Sequence, residues 1–238
     1  MIVETFSVHS HVISKYLRGT QAVVIDTLRA TSVMITALNN GCRQVIPTIE
    51  IDEAMARKRT MLDEQVLLGG ERNAVKIPGF DLSNSPLEYT PETVRNRVLV
   101  LTTTNGTAAI HRVAGAQRVL IGGMLNASAV AAKLKGAGHV TIVCAGTRGK
   151  FSLDDVFTAG CIIARLREND PDLALDDLGF IAEMLYHRYK TDWRPLIKNA
   201  SHYKILKECG YLEDIAYCMR EDALNIVPVW SDGIIVAQ

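Results

Sequence analysis

No charge imbalance marks this chain: Lys and Arg number 26, Asp and Glu number 26, and the formal net charge is zero. A protein that coats nucleic acid should show a basic excess or stripe; none is visible, so nucleic acid is not an expected partner. Also missing is any apolar run approaching the roughly 18–20 residues that span a bilayer, so no membrane segment is expected. The opening stretch MIVETFSVHSHV has no charged region followed by a long apolar one and does not read as a signal peptide. Cysteine is sparse. Cys42, Cys144, Cys161, Cys209 and Cys218 are odd in number, scattered, and form no CxxC pair. That speaks against a disulfide framework or a zinc knuckle and makes reduced thiols and a cytoplasmic location the expectation.

What is present is ordinary globular composition, 48% hydrophobic and 22% charged over 238 residues, enough chain for one large domain or two small lobes. Short Val/Ile/Leu-rich runs alternate with helical patterns, which predicts an α/β fold. AVVID (22–26), RQVIPT (43–48), EQVLLGG (64–70), RVLVLT (97–102), QRVLIGG (117–123) and HVTIVCAG (139–146) read as strands. Residues 31–40, 51–62, 107–114 and 126–136 read as helices, with Gly41 and Gly115 as C-terminal stops. A mainly helical segment, 156–225, follows, and IVPVW (226–230) with GIIVA (233–237) predicts a closing hairpin around Ser231-Asp232.

An internal repeat organises the first 160 residues. VVIDTLRATSVM (23–34) aligns with LVLTTTNGTAAI (99–110), and VLLGGERN (66–73) with IVCAGTRG (142–149), both at an offset of 76 residues. GCRQVIP (41–47) aligns with GAQRVLI (115–121) across a two-residue gap. Halves at about 22–96 and 97–160 would then be two similar lobes sharing one site. Thr31 would face Thr107, Arg29 would match Asn105, and Arg72 would match Arg148. All of these stand beyond strand ends, where open α/β sheets hold ligands.

Four loops carry candidate chemistry. DTLRATS (26–32) leaves a strand and enters a helix, so its backbone N–H groups, Thr31, Ser32 and Arg29 suit a phosphate, while Asp26 could ligate a metal or act on the phosphoryl group. TTTNGT (102–107) repeats that arrangement with Thr104, Asn105, Gly106 and Thr107. GGERNAVKIPGFDLSNSP (69–86) is a long Gly-, Asn- and Ser-rich stretch bearing Glu71, Arg72, Asp81, Asn84 and Ser85. CAGTRGKFSLDD (144–155) offers Gly146, Arg148 and the adjacent carboxylates Asp154 and Asp155, hard oxygen ligands of the kind Mg²⁺ takes. Each loop also has a plain structural reading, as N-caps, turns and carboxylates complementing a helix dipole.

Familiar motifs fail on spacing. Cys144 stands where a P-loop needs its first glycine, and Phe151 follows Lys150 where Ser or Thr belongs. Cys144 and Arg148 are too close for a cysteine-phosphatase loop, and Leu28 occupies the position of a second haloacid-dehalogenase-type aspartate. No GxGxxG opens the first helix, so a dinucleotide site finds no support. Of the histidines, His9 and His11 are the ones whose position could reach a site, with surface imidazoles as the plainer reading.

Taken together and in order, DTLRATS, GGER…GFDLSNSP, LTTTNGTAAI (101–110) and CAGTRGKFSLDD resemble the 2-phosphosulfolactate phosphatase family, with a weaker match at 206–229. The resemblance implies a single domain over 1–238 with a three-layer α/β/α fold and a Mg²⁺-dependent hydrolase that converts 2-phosphosulfolactate to 3-sulfolactate and phosphate. In organisms that make coenzyme M, that step belongs to its biosynthesis. Phosphate, carboxylate and sulfonate carry roughly −3.5 to −4 together, so fixed cations are needed, and Arg29, Arg72 and Arg148 are the candidates. The expected metal ligands come from Asp26, Asp81, Asp154 and Asp155; the expected catalytic groups are Asp26, Glu71 and Asp155, acting through water or through direct carboxylate attack. Cys144 would serve as a nucleophile only if Arg148 lowered its pKa. Two rival readings are a phosphatase for another phosphorylated 2-hydroxy acid, such as phospholactate or phosphoglycolate, and a non-catalytic module that binds an anionic metabolite. Trp193, Tyr203, Tyr211 and Tyr217 in the helical tail are core candidates, with a homodimer contact as the second reading.

Overall fold

A computed structural model describes residues 1–61 and 65–238 of the chain. The expected helix 51–62 and strand 64–70 each include a residue, at 62 and at 64, outside the described ones.

In chain order the strands are β1 (Ile2–Phe6), β2 (Gln21–Ile25), β3 (Gln44–Thr48), β4 (Val66–Arg72), β5 (Val75–Lys76), β6 (Val98–Thr102), β7 (Arg118–Gly122), β8 (His139–Cys144), β9 (Ala174–Leu175), β10 (Pro228–Ser231) and β11 (Ile234–Ala237). The helices are α1 (Ala30–Asn39), α2 (Ile51–Thr60), α3 (Pro91–Val94), α4 (Gly106–Arg112), α5 (Ala127–Lys133), α6 (Leu153–Asn169), α7 (Asp177–Tyr189), α8 (Arg194–Ile197), α9 (Ser201–Glu208) and α10 (Leu212–Cys218). Among the described residues no helix is long and apolar enough to cross a membrane.

The strands form one mixed sheet in the order β5-β4-β6-β3-β11-β10-β7-β2-β8-β1-β9, with helices on both faces. β7, β2, β8, β1 and β9 run parallel, and so do β4, β6 and β3. The antiparallel hairpin β10–β11 is wedged between these groups, pairing β7 on one side and β3 on the other. The hairpin turns on Asp232 and Gly233, both at positive φ, one residue later than the sequence suggests. Segments 22–96 and 97–160 do not stack as separate lobes. β6 lies between β4 and β3, and β2 lies between β7 and β8, so each segment lends a strand to the other's part of the sheet.

Strand periodicity divides the core. In β2, Val23 and Ile25 face one cluster, with Val140 and Ile142 of β8 and Phe157 and Ile162 of α6; Ala22 and Val24 face the opposite one. That opposite face carries α1, whose residues Ala30 to Leu38 are all buried. A helix apolar around its whole circumference belongs inside the molecule, and this one brings its N-terminus, with Asp26 to Arg29 before it, into the interior. β1 was not expected: its pattern is mixed, and only its pairing with β8 makes it a strand.

Helix α6 crosses α7 at Gly160, where a β-carbon would stand 2.0 Å from the Ala182 carbonyl oxygen. Alanine would gain about 1 kcal/mol in helix propensity, but forcing two backbones apart costs more. Gly160→Ala is therefore expected to lower stability by about 2 kcal/mol net in a urea titration. Unchanged or higher stability would show that the crossing relaxes freely.

Candidate active site

The loops after β2, β4, β6 and β8 meet α9 around one polar pocket, lined by Asp26, Arg29, Glu71, Asn84, Thr104, Asn105, Arg148 and His202 with Leu28, Asn73, Ala74, Thr147 and Ile205. Asp26 sits just past β2 and is 7% exposed. The Ala30 N–H points at its Oδ1 from 3.4 Å, while its Oδ2 faces Gly106 of α4 so closely that a β-carbon there would lie 2.7 Å away. Glycine at 106 is thus a clearance for the Asp26 carboxylate. Burial pushes the Asp26 pKa up to about 7, helped by the negative charges of Asp154 and Glu71; the Ala30 N–H and Arg29 pull the other way.

The remaining acids fall into two kinds. Glu71 is engaged on both oxygens: Oε1 accepts from the Thr104 N–H (2.8 Å) and hydroxyl (2.9 Å), and Oε2 from the Ala74 N–H (2.8 Å). Asp155 is engaged on both as well, accepting from the Thr27 N–H (2.9 Å) and the Gly146 N–H (3.0 Å), so it ties the β2 loop to the β8 loop. Burial and the neighbouring Asp154 and Asp26 still hold its pKa well above the usual carboxylate range. Asp154 differs. Its Oδ1 accepts from the Ser152 hydroxyl at 2.7 Å, but its Oδ2 is buried with no hydrogen-bond partner. A buried carboxylate oxygen without a partner is costly unless something else satisfies it. Asn84 Oδ1 is in the same condition beside the pocket.

A divalent cation is one partner that could satisfy such atoms. Among the described residues no three His, Cys, Asp or Glu side chains group tightly enough to hold a metal alone. Mg²⁺ does not require that, since it binds through one or two carboxylates and completes its shell with water and substrate phosphate. Asp154 Oδ2 and Asp26 Oδ2, the oxygens left over by the hydrogen-bond network, fit that role. Asp155 and Glu71, expected as ligand or base, already accept from backbone donors on both oxygens, and Glu71 lines the pocket.

Other expected residues lie elsewhere. Arg72 donates to the Glu71 and Ile49 carbonyls at 2.8 and 2.7 Å and to the Thr102 hydroxyl at 3.0 Å, outside the pocket lining. Asp81 is held on the surface by Lys58 (2.7 Å) and the Leu68 N–H (2.8 Å), which keep its pKa low. Thr31 and Thr107 close their turns against Asp26 and Thr103, and the Ser32 hydroxyl donates to the Thr27 carbonyl at 2.8 Å. The Ser85 hydroxyl donates to Asp214 at 2.7 Å, and Gly146 spends its N–H on Asp155. Cys144 is a protonated thiol: burial and the charges of Asp155 and Asp154 push its pKa well up.

Two arginines do converge. Arg148 occupies a left-handed turn and is exposed at the pocket mouth. Arg29 is 2% exposed, paired to Asp214 of α10 at 2.5 Å, donating to the Ala74 carbonyl at 3.2 Å, and stacked 4.0 Å from the Tyr211 ring. The histidine that reaches the site is His202 of α9, not His9 or His11. Burial lowers its pKa, with Arg29 and Arg148 acting in the same direction and Asp154 and Glu71 opposing. His202 precedes the weakly matching segment 206–229, which holds Tyr211 and Asp214 but marked neither as a site residue.

Comparison with known proteins agrees over almost the entire chain. A family model described as 2-phosphosulpholactate phosphatase matches residues 8–233. A probable 2-phosphosulfolactate phosphatase of Caldanaerobacter subterraneus subsp. tengcongensis is 45% identical over 236 residues, covering 99% of this chain and 98% of the relative. Proteins of the same description from Caldicellulosiruptor saccharolyticus (43% identical, 95% of this chain, 96% of the relative) and Clostridium beijerinckii (42%, 95% and 95%) are also similar.

Proposed function

The chain belongs to the 2-phosphosulfolactate phosphatase family, and from that premise we propose that it hydrolyses the phosphate monoester of 2-phosphosulfolactate to 3-sulfolactate and inorganic phosphate, with Mg²⁺ as cofactor. The observation that carries this reading is a pocket lined by Asp26, Arg29 and Arg148, with the buried Asp154, one of whose oxygens has no partner, near enough to raise the Asp26 pKa. Carboxylates on one side and guanidinium groups on the other are what a divalent ion and a multiply charged anion need together. Asp26 and Asp154 would hold Mg²⁺, which when bound would offset charge on the phosphoryl oxygens. Arg148 at the mouth and Arg29 deeper in orient the anionic groups, and the Thr104 and Asn105 turn closes the opposite wall. Arg29 already shares its charge with Asp214, so Arg148 is the less neutralised cation of the two.

The internal repeat belongs with this proposal. Reading the sheet inward from β4 and from β8 gives β4-β6-β3-β11 against β8-β2-β7-β10, the pairing that the sequence alignment assigns for the three repeat strands, two at an offset of 76 and β3 with β7 across the two-residue gap. The order supports a duplicated unit whose strand-end loops were specialised into acid-bearing and anion-binding members of one site.

The test is phosphate release by the purified protein with Mg²⁺ and with a chelator, from 2-phosphosulfolactate and from phospholactate and phosphoglycolate. We expect metal-dependent release that falls at least about tenfold when the sulfonate is absent. Equal rates across the esters would overturn the sulfonate assignment, and release unaffected by chelation would overturn the metal. Turnover of an ester made chiral at phosphorus gives inverted configuration if Asp26 activates water for a single in-line attack, and retained configuration if Asp26 attacks phosphorus itself and water then displaces it.

A further inference from the structure

The tail aromatics Trp193, Tyr203, Tyr211 and Tyr217 pack against the core, the first of the two roles expected of them. One helix, α7, exposes three large apolar side chains close together. Phe180, Ile181 and Met184 are 56%, 56% and 57% exposed, though the helix buries Gly179, Ala182, Glu183 and Tyr186 on its other side. Their spacing places them on one stripe, together with Asp177 at its N-terminal end and Arg188 at its C-terminal end, both exposed. Three large neighbouring apolar side chains on a solvent-facing helix mark a contact surface rather than scattered exposure.

The charges identify the occupant. The N-terminal end of the stripe is acidic, with Asp172 and Asp177 exposed, and the C-terminal end is basic, with Arg188 and Lys190 exposed. Neither Asp177 nor Arg188 makes an ion pair among the described residues; Arg188 only leans over the Tyr189 ring. Asp177 and Arg188 stand eleven residues apart, about 16 Å along the axis. An identical helix laid antiparallel across this one, related by a twofold axis near residues 182–183, brings Asp177 against Arg188 at both ends. In the same register Ile181 meets Met184 in the middle, and Phe180 covers the flank. A surface complementary to itself under a twofold rotation fits a second copy of the same chain.

We propose that α7 is a self-association surface and that two chains pair through it as an antiparallel helix–helix dimer. One helix face is small beside the ~800 Å² per partner of a standard stable interface, so the association is weak and concentration-dependent. α7 contributes no residue to the pocket, and the proposal does not depend on the phosphatase reading.

Sedimentation velocity of the full chain over a wide concentration range tests it, with circular dichroism confirming that each variant folds. The wild type is expected to pass from monomer to dimer as concentration rises. Met184→Glu is expected to weaken association at least about tenfold, as is Asp177→Arg, which sets arginine against arginine. Combining Asp177→Arg with Arg188→Asp exchanges the two charges and should restore association. A wild type that stays monomeric throughout overturns the proposal. So does a dimer indifferent to Met184→Glu, or a folded charge-exchanged variant that remains as weak as Asp177→Arg alone.

Discussion

Asp26→Asn is expected to reduce phosphate release by about a thousandfold or more while making the folded protein more stable. The two effects have one origin. Asp26 is buried beside Asp154 and Glu71, and these surroundings raise its pKa from 3.8 to about 7. A carboxyl group whose folded pKa is raised binds its proton more tightly in the folded state than in the unfolded one. Stability therefore falls as pH rises through the window between 3.8 and about 7, and the cost is fully present above it. About three pKa units set a ceiling of roughly 4 kcal/mol, and relaxation around the site reduces it. Asparagine keeps the shape and carries no charge. The variant should match the wild type in stability near pH 4 and exceed it by about 2 kcal/mol at pH 8, in urea titrations run with chelator. Mg²⁺ should then stabilise the wild type and do little for Asp26→Asn. A variant that is less stable at pH 8 would show that Asp26 is not under electrostatic strain, and one with unaltered turnover would remove it from the reaction.

The strand and helix pattern of the first 160 residues was legible because doubly covered strands are runs of Val, Ile and Leu, and such runs are local. β1 escaped because Ile2 is exposed and Glu4 interrupts its apolar residues, so only the β8 register defines it. The site was half legible for a similar reason. Residue type marked Asp26, Asp154, Arg29 and Arg148 as candidates for this chemistry, and the fold brings Asp26, Arg29 and Arg148 to one pocket with Asp154 near enough to raise the Asp26 pKa. Residue type could not show which polar groups the backbone would claim first. Glu71 and Asp155, expected as catalytic, and Arg72, expected to bind the anion, each also hydrogen-bond backbone groups or hydroxyls of neighbouring loops, and Arg72 lies outside the pocket lining. Nor could it show His202 or Asp214, which come from helices that read as ordinary amphipathic segments.

Asp214→Ala is expected to destabilise the fold by about 3–5 kcal/mol, the cost of leaving a buried guanidinium without its counter-charge. Asp214 is 3% exposed and satisfies two partners from distant parts of the chain, Arg29 through Oδ2 and Ser85 through Oδ1. Arg29 lies 185 residues away in sequence, so the pair fastens the C-terminal helices over the pocket. With Tyr211 stacked on the guanidinium, α10 fixes both the position and the charge of Arg29. On the proposed role of Arg29 in orienting the substrate anion, loss of Asp214 should raise KM more than it lowers kcat. A double replacement separates the fold from the chemistry. Arg29→Met with Asp214→Leu removes both charges and leaves apolar groups of similar bulk, which buried ion pairs usually tolerate to within about 1–2 kcal/mol. That double variant should regain most of the stability lost in Asp214→Ala and none of the substrate affinity. If affinity returned with stability, Arg29 would be an internal fastening and Arg148 would be left as the arginine that binds the substrate. If stability failed to return, the hydrogen bonds to Ser85 and Ala74 rather than the ion pair would be what holds the tail in place.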